Sequence, residues 1–393
     1  MNLYIINESS RAALYGIGTY IRELTAALRN SHINLCVVNL KSDKPQIQKD
    51  EEERIRYWHF PEPLREQRTI DAKKQDELYY NNVAYLLQLY IEDSENLIFH
   101  LNYNHNIILA DNLKKAFDCK IIMVVHYFNW SLTVYDNLQR LRTILNEEQS
   151  DDFSVNIKKS VEEEKSSYTK ADHVICLSNY THEILCRDYN LDVKKISIIP
   201  SGLTNVAESK SDVIFLRKKW NLPLKEKIVL FVGRMDEVKG LSFLIKAFRE
   251  VLLVYPQSRL VIAGDGDYKT YTKEAQNICT KITYTGFLDK SQLNEWYCMA
   301  DVGVIPSLFE TFGYVAVEMM MCELSIIATA TSGVNEIADD NCAFKVPTIV
   351  YPDRVEVGTD FLASKILYLL QHPKDAKQMR KNGKERYLKK YSL

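Results

Sequence analysis

The sequence lacks the features that mark several common classes of protein. Its eight cysteines are scattered without a Cys-x-x-Cys pair, which favours buried free thiols in a reducing cytoplasm over a disulfide framework. No apolar run approaches the ~20 residues of a membrane-spanning helix, and the N-terminus has no basic region typical of a signal peptide. The net charge of −2 gives no overall attraction to nucleic acid. We therefore expect a cytoplasmic protein with no nucleic-acid partner.

A dinucleotide-binding fingerprint is present only in part. Gly16-Ile17-Gly18 follows the first apolar run, but Ile21 stands in place of the third glycine, and Asn39 stands where an acidic residue would bind the ribose. This pattern disfavours a nicotinamide dehydrogenase. Two interpretations of the glycines stay open, a plain tight turn and a close approach of the backbone to a bound ligand.

Apolar runs of strand length alternate with helical patterns along the chain, which predicts parallel sheets with crossover helices. The length of 393 residues favours two domains. We place them at 1–202 and 203–393, because Pro200 and Gly202 end the last strand of the first half and a polar stretch follows. The predicted strands are 2–6, 33–39, 97–101, 120–126, 173–177, 195–199, 227–232, 258–263, 281–285, 301–305, 324–328 and 342–346.

Two glutamates, Glu310 and Glu318, flank a Phe-Gly turn that opens a predicted helix. Gly313 lets the backbone approach a ligand, and the amides of Phe312, Gly313 and Tyr314 are the unpaired donors of a helix N-terminus, suited to hydroxyl or phosphate oxygens. Glu310 can reach a hexose hydroxyl, and Glu318 can accept hydrogen bonds from a ribose. The segment therefore indicates a nucleotide-sugar site, although such a glutamate pair alone is common on exposed helices.

A second motif supplies two cations. A predicted buried strand breaks at Gly233, and the loop that follows carries Arg234 and Lys239 in front of an amphipathic helix. Arginine offers phosphate oxygens a planar fork and lysine a mobile point charge. The pair can hold a diphosphate and stabilise the charge that develops as it departs. A glycine-rich segment, Gly264-Asp265-Gly266, follows the next apolar strand.

In their order, these motifs resemble the retaining, metal-independent nucleotide-sugar glycosyltransferases of the group 1 / family 4 type, which have the GT-B fold. The resemblance implies an α/β chain with two Rossmann-like doubly wound domains facing across a cleft, the second holding the donor. Arg234 and Lys239 would neutralise the leaving diphosphate, Glu310 would orient the sugar, and Glu318 would bind the ribose. UDP is favoured over GDP, and no cofactor is needed beyond the nucleotide sugar.

The resemblance also assigns donor contacts to residues that the pattern alone leaves open. Gly16 and Gly18 would approach the donor diphosphate or the acceptor, and Gly233 and Gly264 the nucleotide. Phe287 would border the base, with a packed core phenylalanine as the alternative. Asp265-Gly266-Asp267 mimics the Asp-x-Asp of metal-dependent glycosyltransferases, but its place after a glycine in the second domain argues against an essential metal.

His126 ends the predicted strand 120–126, at the sheet edge where ligands of such folds bind. In the related enzymes this histidine contacts the transferred sugar or the acceptor; a structural histidine is the alternative. The segment 129–165 is expected to shape the acceptor pocket or to form a capping helix. The weaker candidates on the acceptor side are Asn104, His105, Tyr127 and Trp130.

Charge runs at 49–54 and 162–165 are predicted to be solvated faces. The Lys/Arg-rich segment 374–390 is predicted to be the wet side of a terminal helix, with peripheral contact at the inner membrane face as the alternative. In the related enzymes a last helix crosses back to the first domain. Two alternatives stay open here: the terminal helix packs back in the same way, or the sequence ends before or within that helix.

The expected function is transfer of a hexose from a UDP- or GDP-sugar to a hydroxyl of a glycan, a lipid-linked intermediate, a peptide or a small molecule. A sugar-nucleotide epimerase or hydrolase of the same fold is the alternative enzyme. A non-catalytic sugar-nucleotide-binding subunit is a third interpretation, disfavoured because Arg234, Lys239, Glu310 and Glu318 are all present.

Overall fold

A computed structural model describes residues 1–9, 15–62, 71–92, 95–147, 151–205 and 212–393, without the side chains of Ala72, Lys73 and His105. The chain divides into two compact units. Unit 1 comprises Met1–Phe128 and Gln149–Ser201, and unit 2 comprises Asn129–Glu148 and Gly202–Leu393. The predicted boundary at 202 places residues 129–148 in the first domain, whereas in the structure this segment belongs to unit 2.

Unit 1 is a parallel sheet with helical crossovers. Its elements, numbered along the whole chain, are β1 (Asn2–Glu8), α1 (Gly16–Leu28), β2 (Asn34–Ser42), β3 (Gln48–Glu52), β4 (Ile55–Pro61), α2 (Ala72–Tyr90), β5 (Leu97–Leu101), α3 (Ile107–Ala116), β6 (Cys119–Val125), α6 (Asp152–Lys170), β7 (His173–Cys176), α7 (Asn179–Arg187) and β8 (Ile196–Ile198). The strand order is β3-β4-β2-β1-β5-β6-β7-β8. Only β3 pairs in the antiparallel sense among these strands.

Unit 2 contains a second parallel sheet and a small hairpin. Its elements are α4 (Ser131–Val134), α5 (Leu138–Asn146), α8 (Val213–Lys219), β9 (Lys227–Val232), α9 (Leu241–Val254), β10 (Ser258–Ala263), α10 (Tyr268–Glu274), β11 (Ile282–Gly286), α11 (Lys290–Met299), β12 (Val302–Ile305), α12 (Tyr314–Met321), β13 (Ser325–Thr329), α13 (Ser332–Ile337), β14 (Ala343–Val346), β15 (Thr348–Val350), β16 (Val355–Val357), α14 (Thr359–Gln371) and α15 (Pro373–Lys390). The sheet order is β11-β10-β9-β12-β13-β14, and β15 pairs with β16.

The central strands of both sheets are apolar on both faces, as parallel strands covered by helices must be. Val229 and Leu230 in β9 and Val302 in β12 are fully buried. In each sheet the order of the parallel strands reverses once, between β9 and β12 in unit 2 and between β1 and β5 in unit 1. Ligands of doubly wound sheets bind outside the carboxyl ends of the strands at such a reversal.

The charge run 49–54 is exposed as predicted, but most of it forms β3, an edge strand with the sequence QKDEE. Charged side chains on an edge strand prevent pairing with a further chain. The prediction for 162–165 is wrong at Glu164, which α6 turns inward and which is 1% exposed.

The basic C-terminal segment forms α15, which packs on α12, α14 and β13 of unit 2. Several of its cations bind the protein itself. Arg380 donates to the carbonyl of Asp301 at 2.7 Å, and Arg386 donates to that of Ile337 at 2.7 Å. In the part of the chain that the structure describes, no helix is both long and apolar enough to cross a membrane.

All eight cysteines are free, in agreement with the prediction, but burial is less general than expected. Cys36, Cys176 and Cys342 are buried, whereas Cys279 is exposed.

Candidate active site

Two loops meet at the strand reversal of unit 2. One follows β9 and carries Arg234 and Lys239, and the other follows β12 and carries Glu310. The backbone N–H of Leu308 donates to the carbonyl of Val238 at 2.8 Å, which ties the loops together. A Cβ at Gly240 would lie 1.9 Å from the carbonyl oxygen of Pro306, so only glycine permits this approach.

The loops bring Lys239, which was assigned to the diphosphate, into contact with Glu310, which was assigned to the sugar. Lys239 Nζ lies 2.5 Å from Glu310 Oε1, which also accepts from Ser307 Oγ at 3.1 Å. Lys239 and Glu310 are each about one-fifth exposed, at 19% and 18%. Arg234 pairs with Asp236 at 3.1 Å and is one-third exposed. The two cations are thus held by carboxylates of the protein, at a surface that a ligand can reach.

The backbone of Glu310 is held on both sides. Its N–H donates to Ser332 Oγ at 2.7 Å, and its carbonyl accepts from the N–H of Gly333 at 2.7 Å. A Cβ on Gly333 would lie 2.1 Å from the carbonyl oxygen of Thr311. The start of α13 therefore packs directly against the loop that presents the glutamate.

The Phe-Gly turn forms the predicted helix N-terminus. Gly313 adopts the left-handed conformation with φ 99° and precedes α12. The side chain of Phe312 is buried and its ring packs edge-on against Tyr391, with centroids 6.1 Å apart. Its backbone amide is therefore the part of Phe312 suited to a ligand. Tyr314, the first residue of α12, is half-buried.

Glu318 lies on the second turn of α12 and is held by a residue that the sequence reasoning missed. The hydroxyl of Tyr297 on α11 donates to Glu318 Oε2 at 2.7 Å. Burial, and next the charge of Glu318, hold the pKa of Tyr297 well above its usual value. The phenol consequently stays protonated and remains a donor to the carboxylate.

Gly264 brings two loops of unit 2 together. Its φ is 147°, and a Cβ would lie 1.9 Å from the carbonyl oxygen of Gly233. Alongside this contact, the N–H of Met235 donates to the carbonyl of Asp265 at 2.8 Å. Gly264 is therefore required for the close packing of its loop against the loop that carries Arg234. The sequence interpretation did not include this role.

Phe287 follows β11 and is 52% exposed, which excludes the packed-core alternative.

The Asp265-Gly266-Asp267 segment has a structural role at Asp267, which caps α10 by accepting from the N–H of Thr270 at 3.1 Å. Hydrogen bonds from Thr270 lower the pKa of the Asp267 carboxyl.

His126 lies at the carboxyl end of β6 in unit 1, within a polar cluster. Its Nε2 lies 3.0 Å from Asn102 Oδ1, and the ring of Tyr20 meets it edge-on at 4.8 Å. The Tyr20 hydroxyl lies 3.3 Å from Nε2 of His100. Asn102 and Tyr20 were not predicted; the available signal for Asn102 was its place directly after the strand 97–101.

Both histidines of this cluster are neutral near pH 7. Burial, with a smaller contribution from His100, lowers the pKa of His126 to about 3. Burial lowers the pKa of His100 to about 4. Since the amide oxygen of Asn102 can only accept, Nε2 of His126 carries the proton. His126 can therefore orient a polar group but does not act as a cation.

The weaker acceptor-side candidates have other surroundings. Asn104 is buried, donating to Glu164 at 2.9 Å and accepting from the Tyr168 hydroxyl at 3.1 Å, so it belongs to an internal network. Burial, followed by the charge of Glu164, raises the pKa of Tyr127 to about 12. The side chain of His105 lies outside the described residues.

Gly16 and Gly18 lie in the first turn of α1 in unit 1. Trp130 is fully buried and belongs to unit 2, where its ring packs edge-on against Phe309 at 5.7 Å. Its assignment to the acceptor side stays a prediction. Trp130 packs beside the loop that presents Glu310, because the chain leaves unit 1 after Phe128.

Comparison with known proteins identifies the family of the chain. The family model for glycosyl transferases group 1 matches residues 212–386, and that for glycosyltransferase family 4 matches residues 15–204. The chain belongs to the group 1 glycosyltransferases of the GT-B fold.

The curated relatives are similar over part of their length. An uncharacterised glycosyltransferase of Methanocaldococcus jannaschii is 32% identical over 200 residues, which is 49% of this chain and 50% of that protein. Alpha-D-kanosaminyltransferase of Streptomyces kanamyceticus is 26% identical over 236 residues, covering 58% of this chain and 59% of the relative. The matches thus span about half the length of these relatives.

Solved structures share the fold over the whole chain. Sucrose-phosphate synthase from Thermosynechococcus elongatus has a TM-score of 0.78 at 22% identity, covering 100% of this chain and 95% of that one. Anabaena Alr3699/HepE in complex with UDP-glucose has a TM-score of 0.71 at 16% identity, covering 100% and 96%.

Proposed function

We propose that the protein is a retaining glycosyltransferase that moves a hexose from a UDP-sugar to a hydroxyl acceptor, with a GDP-sugar as the second donor to test. The observation that carries this proposal is the Lys239–Glu310 pair at the strand reversal of unit 2. Arg234 lies on the same loop as Lys239, and Glu318 lies on the helix that follows Glu310. The complex of Anabaena Alr3699/HepE with UDP-glucose supports UDP as the nucleotide.

Donor binding replaces protein carboxylates by phosphate oxygens. Arg234 exchanges Asp236 for the diphosphate, and Lys239 turns from Glu310 towards the same group. These charges accelerate transfer to the extent that negative charge on the diphosphate grows in the transition state. The amides at the start of α12 add donors on the same side. Two side-chain cations thus provide the charge neutralisation that metal-dependent enzymes obtain from an ion.

The two glutamates take different parts of the donor. Glu310, released from Lys239, accepts from a hydroxyl of the transferred hexose. Glu318, oriented by Tyr297, accepts from the ribose hydroxyls. Neither glutamate needs to change its protonation state for these roles.

The transferred sugar retains its anomeric configuration if the acceptor hydroxyl attacks from the face that the phosphate leaves. The hydroxyl proton passes to the departing phosphate oxygen, and the new glycosidic bond forms as the old one breaks. We assign acceptor recognition to unit 1, where neutral His126 positions a hydroxyl without ionising.

A donor panel tests the proposal. The protein is incubated with UDP-glucose, UDP-N-acetylglucosamine, UDP-galactose or GDP-mannose, with and without a set of sugar, inositol and lipid-linked acceptors. Release of nucleoside diphosphate that depends on the acceptor supports a transferase. Release without an acceptor, or formation of an epimer, would indicate the hydrolase or epimerase, and binding without turnover a non-catalytic subunit. The anomeric configuration of the product decides retention.

A further inference from the structure

A segment from the first half of the sequence contacts the structure around Glu310. Residues 129–148 belong to unit 2, and Asp136 lies near the middle of this segment. Its Oδ2 accepts from the hydroxyl of Thr331 and, at 3.2 Å, from the backbone N–H of Ser332. Thr331 and Ser332 are both buried. A carboxylate distant in sequence thus binds the residues at the start of α13.

Ser332 transmits this contact to Glu310. Its Oγ accepts the backbone N–H of Glu310 at 2.7 Å. Ser332 also has φ 38°, a left-handed conformation that is strained for a non-glycine residue and persists only when the surroundings hold it. Asp136 is one of the groups that hold it, because its carboxylate accepts the N–H of this residue.

The same segment makes a second contact with the glutamate loop. The indole of Trp130 packs edge-on against Phe309, the residue before Glu310, and both side chains are buried. The 129–148 segment therefore contacts the neighbour of Glu310 directly and its backbone N–H through Ser332. Both contacts thus hold the stretch of backbone from which the Glu310 side chain leaves the loop.

We propose that Asp136 is a positioning residue for Glu310, acting through Ser332 to keep the glutamate carboxylate at the place where it meets Lys239 and the transferred sugar. This inference rests on the proposed role of Glu310. Misplacing a reacting group by about 1 Å can lower the rate by about 10²-fold, so loss of this support is measurable as turnover.

Three variants test the assignment. Asp136→Ala removes the acceptor, whereas Asp136→Asn keeps an oxygen that can accept from Thr331 and Ser332. The matched control is Asn137→Ala. Asn137 caps α5 and donates to the carbonyl of Tyr351 at 2.7 Å, so its loss loosens the same segment without touching α13.

With the panel donor that the wild-type protein consumes fastest, Asp136→Ala should lower kcat by about 10-fold or more. The KM for that donor and the Kd for UDP should stay near the wild-type values, because Arg234 and Glu318 are untouched. Asp136→Asn should retain most of the turnover, and Asn137→Ala should behave as wild type. If Asp136→Ala does not fold, Ser332→Ala, which removes the acceptor for the Glu310 N–H, should give the same loss of kcat.

Hydrogen exchange provides a readout that needs no substrate. The amides of 307–313 should exchange faster in Asp136→Ala than in wild type and should be unchanged in Asn137→Ala. Equal effects of Asp136→Ala and Asn137→Ala on kcat and exchange, or no effect of Asp136→Ala on either, would overturn the proposal. If Glu310→Ala leaves transfer intact, the proposed function fails; if Glu310→Ala abolishes transfer and Asp136→Ala leaves kcat unchanged, only the positioning role fails.

Discussion

Lys239 Nζ lies 2.5 Å from Glu310 Oε1, so a cation assigned to the diphosphate and a carboxylate assigned to the sugar form an ion pair with each other. The pair keeps both side chains at the strand reversal before a donor arrives. It also makes them interdependent, since removing one leaves the other partly buried and without its counter-charge.

Lys239→Met should therefore reduce transfer by about 10²-fold, the scale of losing one preorganised charge-stabilising donor. The loss combines a missing charge at the diphosphate with a misoriented Glu310. Steady-state kinetics with the preferred donor measure the effect, and Lys246→Met on the exposed face of α9 is the control. Near-normal turnover of a folded Lys239→Met protein would contradict the assignment.

The two glutamates should separate by experiment, because one is assigned to the sugar and the other to the ribose. Glu318→Ala should weaken binding of free UDP, whereas Glu310→Ala should spare UDP binding and abolish transfer. Isothermal calorimetry with UDP gives the first result and product formation the second. An equal loss of UDP affinity in both variants would refute the division.

Tyr297→Phe tests whether orientation of Glu318 matters. Losing the hydrogen bond to the carboxylate should weaken UDP affinity by roughly 3- to 10-fold, in the range of a single hydrogen bond. Tyr284→Phe is the matched control, because the Tyr284 hydroxyl is buried with no hydrogen-bond partner among the described residues. We expect Tyr284→Phe to bind UDP normally; a loss as large as that of Tyr297→Phe would indicate a general loosening of unit 2.

Gly264→Ala should destabilise unit 2, since the added Cβ would lie 1.9 Å from the Gly233 carbonyl oxygen. Overpacking of this kind costs about 1–3 kcal/mol, and the left-handed φ adds to it. Gly358→Ala is the control, because its nearest neighbour, Phe361 Cβ, is 3.8 Å away. Chemical denaturation of both variants measures the difference, and equal stabilities would show that the loops separate without penalty.

The buried histidines of unit 1 predict a pH dependence of stability. Burial lowers the pKa of His100 to about 4, whereas the pKa of a histidine in the unfolded chain is about 6.5. Between these values the unfolded chain binds more protons, so the free energy of unfolding falls as the pH is lowered through this window. His100→Gln should reduce that decline. Thermal unfolding of both proteins from pH 7.5 to 4.5 tests this, and parallel curves would argue against a buried neutral His100.

The sequence predicted the sheet strands well, because parallel strands buried on both faces are continuous apolar runs. All twelve predicted strands occur, each within three residues of its predicted ends. Among the described residues, the four strands that were missed lack this signal. β3 has the sequence QKDEE, β4 pairs with it near the edge of the sheet, and β15 and β16 are three-residue strands.

The candidate site was predicted where its residues are neighbours in sequence. Local spacing is enough to connect residues that share one loop or helix, such as Gly313 with Glu318 or Gly233 with Arg234. Contacts between distant segments carry no such signal. The contact of Tyr297 with Glu318 and the contact of Asn102 with His126 depend on how separate elements pack. Glu164 was misjudged because three successive glutamates look solvated, although a helix can turn one of them inward.

The membership of residues 129–148 in unit 2 limits how this chain can be recombined with a relative. A hybrid joined at residue 202 would take Asp136 and Trp130 from one parent and Ser332 and Phe309 from the other. Such a joint would split a structural unit even though it falls in a linker. Recombination that respects the three-dimensional division has to carry this short segment along with the C-terminal half.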